Sequence, residues 1–226
     1  MIKLKDYRVY EGLRIAMSLT FIGGFLDAYS YKMLGGKFAS MQSGNLIYFS
    51  LHLMDGKFHQ ALLYLPPVLS FLIGSIVCVV LRRFAKQRNL RWHMTAAAVE
   101  LIGFMILALL SNHLSSEFLI LSIAFLAAIQ AESFKRLRGI PYATIMSTGN
   151  LKTFGSFLAS GIIQRDRKTL EKARHSFLAI LFFILGALSA ALSTKFVQDY
   201  ALFLVCLPLI FILILLVLEH LAQNEK

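Results

Sequence analysis

Phe38-Ala39-Ser40-Met41-Gln42-Ser43-Gly44-Asn45-Leu46 and Tyr142-Ala143-Thr144-Ile145-Met146-Ser147-Thr148-Gly149-Asn150-Leu151 carry one short motif twice. It reads Ser43-Gly44-Asn45-Leu46 in the first copy and Thr148-Gly149-Asn150-Leu151 in the second, with the Gly-Asn pairs 105 residues apart. The same offset carries Asp27 onto Glu132 and Met41 onto Met146, so a carboxylate precedes each copy by an equal distance. Both copies lie in apolar sequence. A polar, glycine-containing interruption at matching places in two hydrophobic halves points to an internally duplicated membrane protein with a transporter-type binding site.

Composition agrees. The chain has 226 residues, 58% hydrophobic and only 15% charged, where soluble domains carry about a quarter charged residues. Mean hydropathy is +0.68. Several apolar runs approach or exceed the roughly 18 to 20 residues that cross a bilayer. The first run follows a basic start, but it is long, holds Asp27 and shows no small-residue cleavage site, which argues against a cleaved signal peptide. The net charge of +11 would suit nucleic acid. The basic residues instead cluster in short loops between apolar spans, as positive-inside topology requires, so no nucleic-acid partner is expected. Cys78 and Cys206 fall inside apolar runs without metal-ligand spacing and read as small core residues. The six His are scattered, mostly at span ends. Neither a metal nor a cofactor is expected.

Six long spans are predicted, at about Leu13–Met33, Ala61–Leu81, Trp92–Leu110, Phe118–Ala131 (its lower end reaching towards Phe134), Phe177–Thr194 and Ala201–Leu218. Pro66-Pro67 should kink the second. Two further stretches, about Phe38–Leu53 and Tyr142–Ile163, hold the motif and are broken by Ser, Gly, Asn and Gln. If these two re-enter and leave on one side, 18 of the 23 basic residues fall inside. They are Lys3, Lys5, Arg8 and Arg14; the Arg82–Arg91 cluster; Lys135, Arg136 and Arg138; the Arg165–Arg174 cluster; and Lys226. Lys32, Lys37, Lys57 and Lys195 face outward, and Lys152 lies in the motif stretch. If both stretches cross, either orientation strands a dense basic cluster on the wrong face. The expected fold is therefore all-α, with six transmembrane helices in two inverted three-helix repeats, residues 13–111 and 116–219, in one transmembrane domain. Each repeat holds a re-entrant or broken Ser/Thr-Gly-Asn segment. Both termini are expected in the cytoplasm.

Non-helical backbone at membrane depth must find partners in protein or in a water-lined cavity. Gly44 and Gly149 let the chain turn and a ligand approach the backbone. Ser43 and Thr148 are good N-cap types, and Asn45 and Asn150 offer donors and acceptors. Half-helices starting there aim N–H groups and a positive dipole end at a shared cavity, which suits an anion or polar solute. Gln42, Ser147, Gln130 and Tyr29 would line it, and the motif stretches should be the apolar parts least exposed to lipid. A Gly-Asn turn at the membrane surface is the plainer reading of either copy alone; the pairing argues against it. Asp27, Glu132 and Glu100 are candidates for ion or proton coupling, because an ionisable group in a span is costly and usually faces the interior. The structural alternatives are pairing of Asp27 with Lys32, of Glu132 with Arg136, and one hydrogen bond from Glu100 to a Ser or Tyr.

Gly23-Gly24-x-x-Asp27-Ala28-x-x-Tyr31, Gly35-Gly36-x-Phe38, Ser43-Gly44-Asn45, Gln130-Ala131 and Met146-x-Thr148-Gly149-Asn150-Leu151 run through nearly the whole chain. In these residues it resembles the YoaK-like family of bacterial inner-membrane proteins, classed as a domain of unknown function. The resemblance implies a polytopic inner-membrane protein, often presumed to transport something, and no substrate. Members more usually show Thr where this chain has Ser43, and Asn after the Gln where it has Ala131-Glu132. The first change keeps a hydroxyl; the second adds a charge.

The leading expectation is a secondary transporter or facilitator for a small polar or anionic solute, embedded in the lipid bilayer, with a homo-oligomer open. A passive channel built from two re-entrant segments is the nearest alternative. A membrane enzyme acting on a lipid-linked substrate is the other, disfavoured because Asp27 and Glu132 are expected on opposite faces. The chain shows no G-x-x-x-x-G-K-[ST], H-E-x-x-H or G-x-S-x-G, so no ATP-driven motor and none of these hydrolase sites is expected.

Overall fold

The first span ends where the sequence stops it. Leu34 closes the helix, and Gly35 and Gly36 follow with φ of 78° and 73°, a left-handed backbone that favours glycine. In the computed structural model, which describes residues 8–142 and 147–224, this helix is α1 (Leu13–Met33). After it come α2 (Gln42–Met54), α3 (Phe58–Leu62), α4 (Leu65–Gln87), α5 (Trp92–Leu110) and α6 (Ser116–Ser133). A two-strand antiparallel ladder, β1 (Arg136–Leu137) and β2 (Ile140–Pro141), precedes α7 (Ser147–Ile163), α8 (Arg167–Val197) and α9 (Phe203–Asn224). Met146, Lys3, Lys5 and Lys226 lie outside the described residues.

The fold is helical, and among the described residues four stretches are long and apolar enough to cross a membrane. They are Phe58–Gln87, Trp92–His113, Ser116–Ser133 and Arg167–Gln223, the last containing both α8 and α9. α1, with Arg14, Asp27 and Lys32, is not among them. Its 21 residues still extend about 31 Å at 1.5 Å per residue.

Two expectations about the spans need correcting. Pro66-Pro67 do not kink a helix: they sit in the first turn of α4, where a missing N–H removes no intrahelical bond. α8 reaches well beyond Phe177–Thr194, because its first turns are charged and add no hydropathy. Asp166 caps them, accepting from the Lys168 N–H at 3.0 Å and the Thr169 N–H at 3.2 Å.

The long helices pack in pairs. α1 lies along α8, α4 along α6, and α5 against α9, while α7 also lies on α8 and α2 on α3 and α4. Glycines set the closest approaches. A Cβ on Gly24 would strike the Phe183 carbonyl, and one on Gly186 the Phe21 carbonyl. A Cβ on Gly74 would fall 2.7 Å from the Phe125 carbonyl oxygen. Small residues of this kind let backbones close in where lipid gives helices no hydrophobic drive to associate. The core between the pairs holds Phe25, Tyr29, Phe104, Ile123 and Leu209, with Cys78 and Cys206 also buried.

Loop contacts gather at two ends. At the basic end the Arg138 N–H donates to the Glu11 carbonyl at 2.8 Å. The Gly139 N–H donates to Glu11 Oε2 at 2.9 Å, and the Val9 N–H to Glu219 Oε1 at 3.2 Å. Arg91 reaches Gln223 at 2.9 Å. Tyr10 stacks on His93 with ring centroids 3.6 Å apart. At the opposite end Lys32 Nζ donates to the Ala191 carbonyl at 3.0 Å and to Thr194 Oγ1 at 2.9 Å, and Tyr29 Oη donates to Asp199 at 3.2 Å.

Candidate functional site

The segment between α1 and α2 is held by side chains rather than by regular backbone pairing. Asp27, buried on α1, accepts three hydrogen bonds. The Ser40 N–H donates to its Oδ1 at 2.8 Å, the Met41 N–H to the same oxygen at 3.2 Å, and Ser40 Oγ to Oδ2 at 2.8 Å. Ser30 Oγ accepts from the Ala39 N–H at 3.0 Å. Asn45, with 0% exposure, closes the same loop from the other side. Its Oδ1 accepts from the Phe38 N–H at 2.9 Å, and its Nδ2 donates to the Phe38 carbonyl and to Gln42 Oε1, both at 2.8 Å. Gln42 Nε2 donates to the Ala39 carbonyl at 2.8 Å. A carboxylate and an amide thus satisfy four backbone groups of an irregular loop, which buried backbone requires. Gly44 completes the lock, because a Cβ there would meet the Phe38 ring at 2.8 Å.

The motif residues occupy other positions than their residue types suggested. Ser43 and Thr148 are not N-caps: each is the second residue of its helix and exposed. Met41 holds the cap position of α2 without a side-chain hydrogen bond. The motif stretches are also not the segments most sheltered from lipid. α2 packs on α3 and α4, and α7 on α8, each along one face. Leu46, Ile47, Leu51 and Met54 stay exposed on α2, and Leu151, Leu158, Ile162 and Ile163 on α7. Within each motif, the Asn is buried. A Cβ added at Gly149 would meet nothing within 4 Å among the described residues.

The two acids related by the repeat do different work. Asp27 does not pair with Lys32, which is taken by α8. Glu132 does not pair with Arg136: its carboxylate meets Lys135 Nζ at 2.5 Å, and its carbonyl accepts from Arg82. Glu100, in the middle of α5, makes no hydrogen bond to a Ser or Tyr. It is 0% exposed, and neither carboxyl oxygen has a partner among the described residues.

The remaining residues expected to line one cavity are spread over separate places. Gln42 belongs to the loop lock, and Tyr29 bonds Asp199. Gln130 donates to the Leu19 carbonyl on α1 at 3.0 Å, leaving its buried Oε1 without a partner among the described residues. Ser147 Oγ is buried at the start of α7. Cavities open at the basic end. One of about 540 Å³ is lined by Arg14, Arg138, Leu215 and Glu219, and another of about 360 Å³ by Tyr10, Arg82, His93 and Arg136. Ser40, Ser30 and the Phe38 backbone were not legible as site residues. The loop bonds they make span seven to thirteen positions through irregular backbone, and no local motif marks that spacing.

A family model described as "Protein of unknown function (DUF1275)" matches residues 15–215. No curated protein and no solved structure matches the chain.

Proposed function

Since the chain belongs to the DUF1275 family, whose function is unknown, we propose that it is a secondary transporter or facilitator. It moves a small polar or anionic solute across the cell inner membrane. Its architecture on this reading is six crossings in two inverted repeats, residues 13–111 and 116–219, with α2 and α7 as re-entrant half-helices and both termini cytoplasmic.

The observation that carries the reading is the placement of α2. Ser40 and Met41, the latter at its N-cap, are bonded to Asp27, six residues before the end of α1, so α2 starts about 9 Å inside the bundle at 1.5 Å per residue. Its 13 residues cover only about 20 Å, short of a roughly 30 Å hydrocarbon core. A helix that starts inside and runs back out turns its N-terminal N–H groups inward, as the broken helices of transporters do.

Three further features support it. α7 starts 105 residues after α2. The first long helix of each half lies on the second long helix of the other, α1 on α8 and α6 on α4, and the third ones, α5 and α9, lie on each other. A two-fold axis in the membrane plane produces that exchange. The basic loops meet at one end, as a cytoplasmic face requires. The apolar outer faces of α2, α4 and α7 meet the bilayer.

Uptake into liposomes tests the function. Purified protein is reconstituted, and a panel of small anions, polyols and amino acids is followed by light scattering. At least one solute is expected to enter faster than into protein-free vesicles, and Asn150→Ala, with its fold checked by thermal unfolding, to remove that excess. No excess for any solute overturns the reading.

A further inference from the structure

Glu100 occupies a place that ordinary structural roles do not explain. It is the ninth residue of a 19-residue helix, so it lies near mid-membrane on the transport reading. A carboxyl there is among the most expensive side chains a span can carry. Structural carboxylates away from water are kept by partners, as buried Asp27 is by three donors and half-buried Glu132 by Lys135. Glu100 has none among the described residues, and it is fully enclosed.

Among the described residues, no salt bridge or hydrogen bond brings it a counter-charge. On α6 the contact of Gly103 with Leu126 sets an antiparallel register that brings Glu100 level with Ile129 and Gln130, and the Gln130 Oε1 is itself an orphan acceptor among the described residues. On α4 the buried Cys78 thiol faces the Ile129 carbonyl and Ser133 Oγ of α6. Arg82 itself is committed to the Glu132 carbonyl and stacks over Trp92 at 5.5 Å. On α9 the core side chains are Leu209 and Ile212, with Cys206 further along. At the 198–202 turn, Asp199 is bonded by Tyr29. On α1 the Thr20 hydroxyl donates to the Ala16 carbonyl at 2.7 Å. Two carboxyl oxygens and one amide oxygen in one region lack a donor among the described residues. A neutral acid removes the charge and carries an O–H that can be given to an acceptor, whereas an unpaired carboxylate in such a place is prohibitively costly.

We propose that Glu100 is the proton-binding site of this protein, loading one proton in the enclosed state seen here and releasing it to water when the bundle opens. This rests on the transport reading and names its coupling ion as H⁺. The chemistry balances: water or hydronium gives a proton to a Glu100 carboxylate oxygen, an O–H bond forms, and the same bond breaks on release. Asp27 and Glu132 do not share the task, since their oxygens already hold the loop and Lys135.

Dicyclohexylcarbodiimide, which modifies protonated carboxylic acids in apolar surroundings, tests the site without a known solute. Intact-mass and peptide mapping of the folded protein in detergent should place one adduct on Glu100. The adduct should fall at least fivefold as pH rises from 6 to 9 and be absent from Glu100→Gln. A folded protein in which Glu100 stays unmodified at every pH, while Asp27 or Glu132 reacts, overturns the proposal. Coupling is then read with whichever panel solute is taken up. One pH unit driven through one proton supports about tenfold accumulation, since one unit is 1.36 kcal/mol; Glu100→Gln should bring that to onefold. Accumulation that ignores the gradient in the unaltered protein overturns coupling and leaves transport standing. Absence of all uptake, with Glu100 labelled, overturns the transport reading and leaves the proton site.

Discussion

Asn45→Ala separates a structural lock from a ligand-binding group. The Asn45 amide makes three buried hydrogen bonds, two to the Phe38 backbone and one to Gln42, at 2.8 to 2.9 Å. Each is worth about 0.5 to 1.5 kcal/mol net, and a buried group left unpaired costs about 1 to 3 kcal/mol. Water can reach part of the loop after truncation, so the loss is expected at about 2 to 4 kcal/mol. Reversible unfolding in mixed micelles, titrated with sodium dodecyl sulfate and followed by circular dichroism, measures it with no solute present. Hydrogen exchange should also accelerate at the Phe38 amide. Pairing the change with Asp27→Ala should give a combined loss smaller than the sum, because both side chains hold residues 38–41. A variant within about 0.5 kcal/mol of the unaltered protein, the usual range for surface changes, would refute the lock and return Asn45 to ligand binding.

Other outcomes follow from the packing and the loops. Gly24→Ala and Gly186→Ala should each force α1 and α8 apart and cost at least about 2 kcal/mol by overpacking. Gly155→Ala, whose added methyl meets nothing within 4 Å among the described residues, should be neutral or stabilising by up to about 1 kcal/mol from helix propensity. The Thr169 hydroxyl and the Lys168 N–H hold the half-buried Asp166 carboxyl below the usual aspartate range. That cap is therefore present above the ordinary aspartate pKa and is lost as pH falls through the lowered value. Amide exchange at Lys168 and Thr169, corrected for intrinsic rates, should rise in strong acid, and an unchanged protection factor would count against it. Cysteines placed at Lys57 and Lys195 should be labelled from outside, and those at Arg88 and Lys168 only from inside. External labelling at Lys168 would sink the inverted arrangement.

Hydropathy located α1 and α5 to the residue, because glycines flank α1, and α5 runs from the basic loop at Arg91 to the polar Ser111-Asn112-His113. It underestimated α8, whose capped, charged first turns belong to the helix and not to the apolar run. It missed the β1–β2 ladder, since two-residue strands carry no period. The 105-residue repeat puts both motifs in the first turns of α2 and α7, but Asp27 and Glu132 have different partners. Equal spacing fixes where a carboxylate stands along a helix, not which groups the surrounding loop presents to it. Glu100 was legible as unusual through its depth alone. That nothing among the described residues satisfies it depends on four neighbouring helices, which no local pattern encodes.

The glycine contacts at Gly24, Gly186 and Gly74 have a mechanical consequence. Where one backbone rests on another's carbonyl, two helices cannot slide or roll without collision, so α1 with α8 forms one stiff beam and α4 with α6 a second. Lys32 rivets the first beam at its outer end through Ala191 and Thr194. On the transport reading, motion that opens a passage occurs between the beams, which meet directly where Gln130 on α6 donates to the Leu19 carbonyl on α1 and indirectly through α5 and α9. Glu100 sits on α5, among the surfaces whose contacts change on that reading.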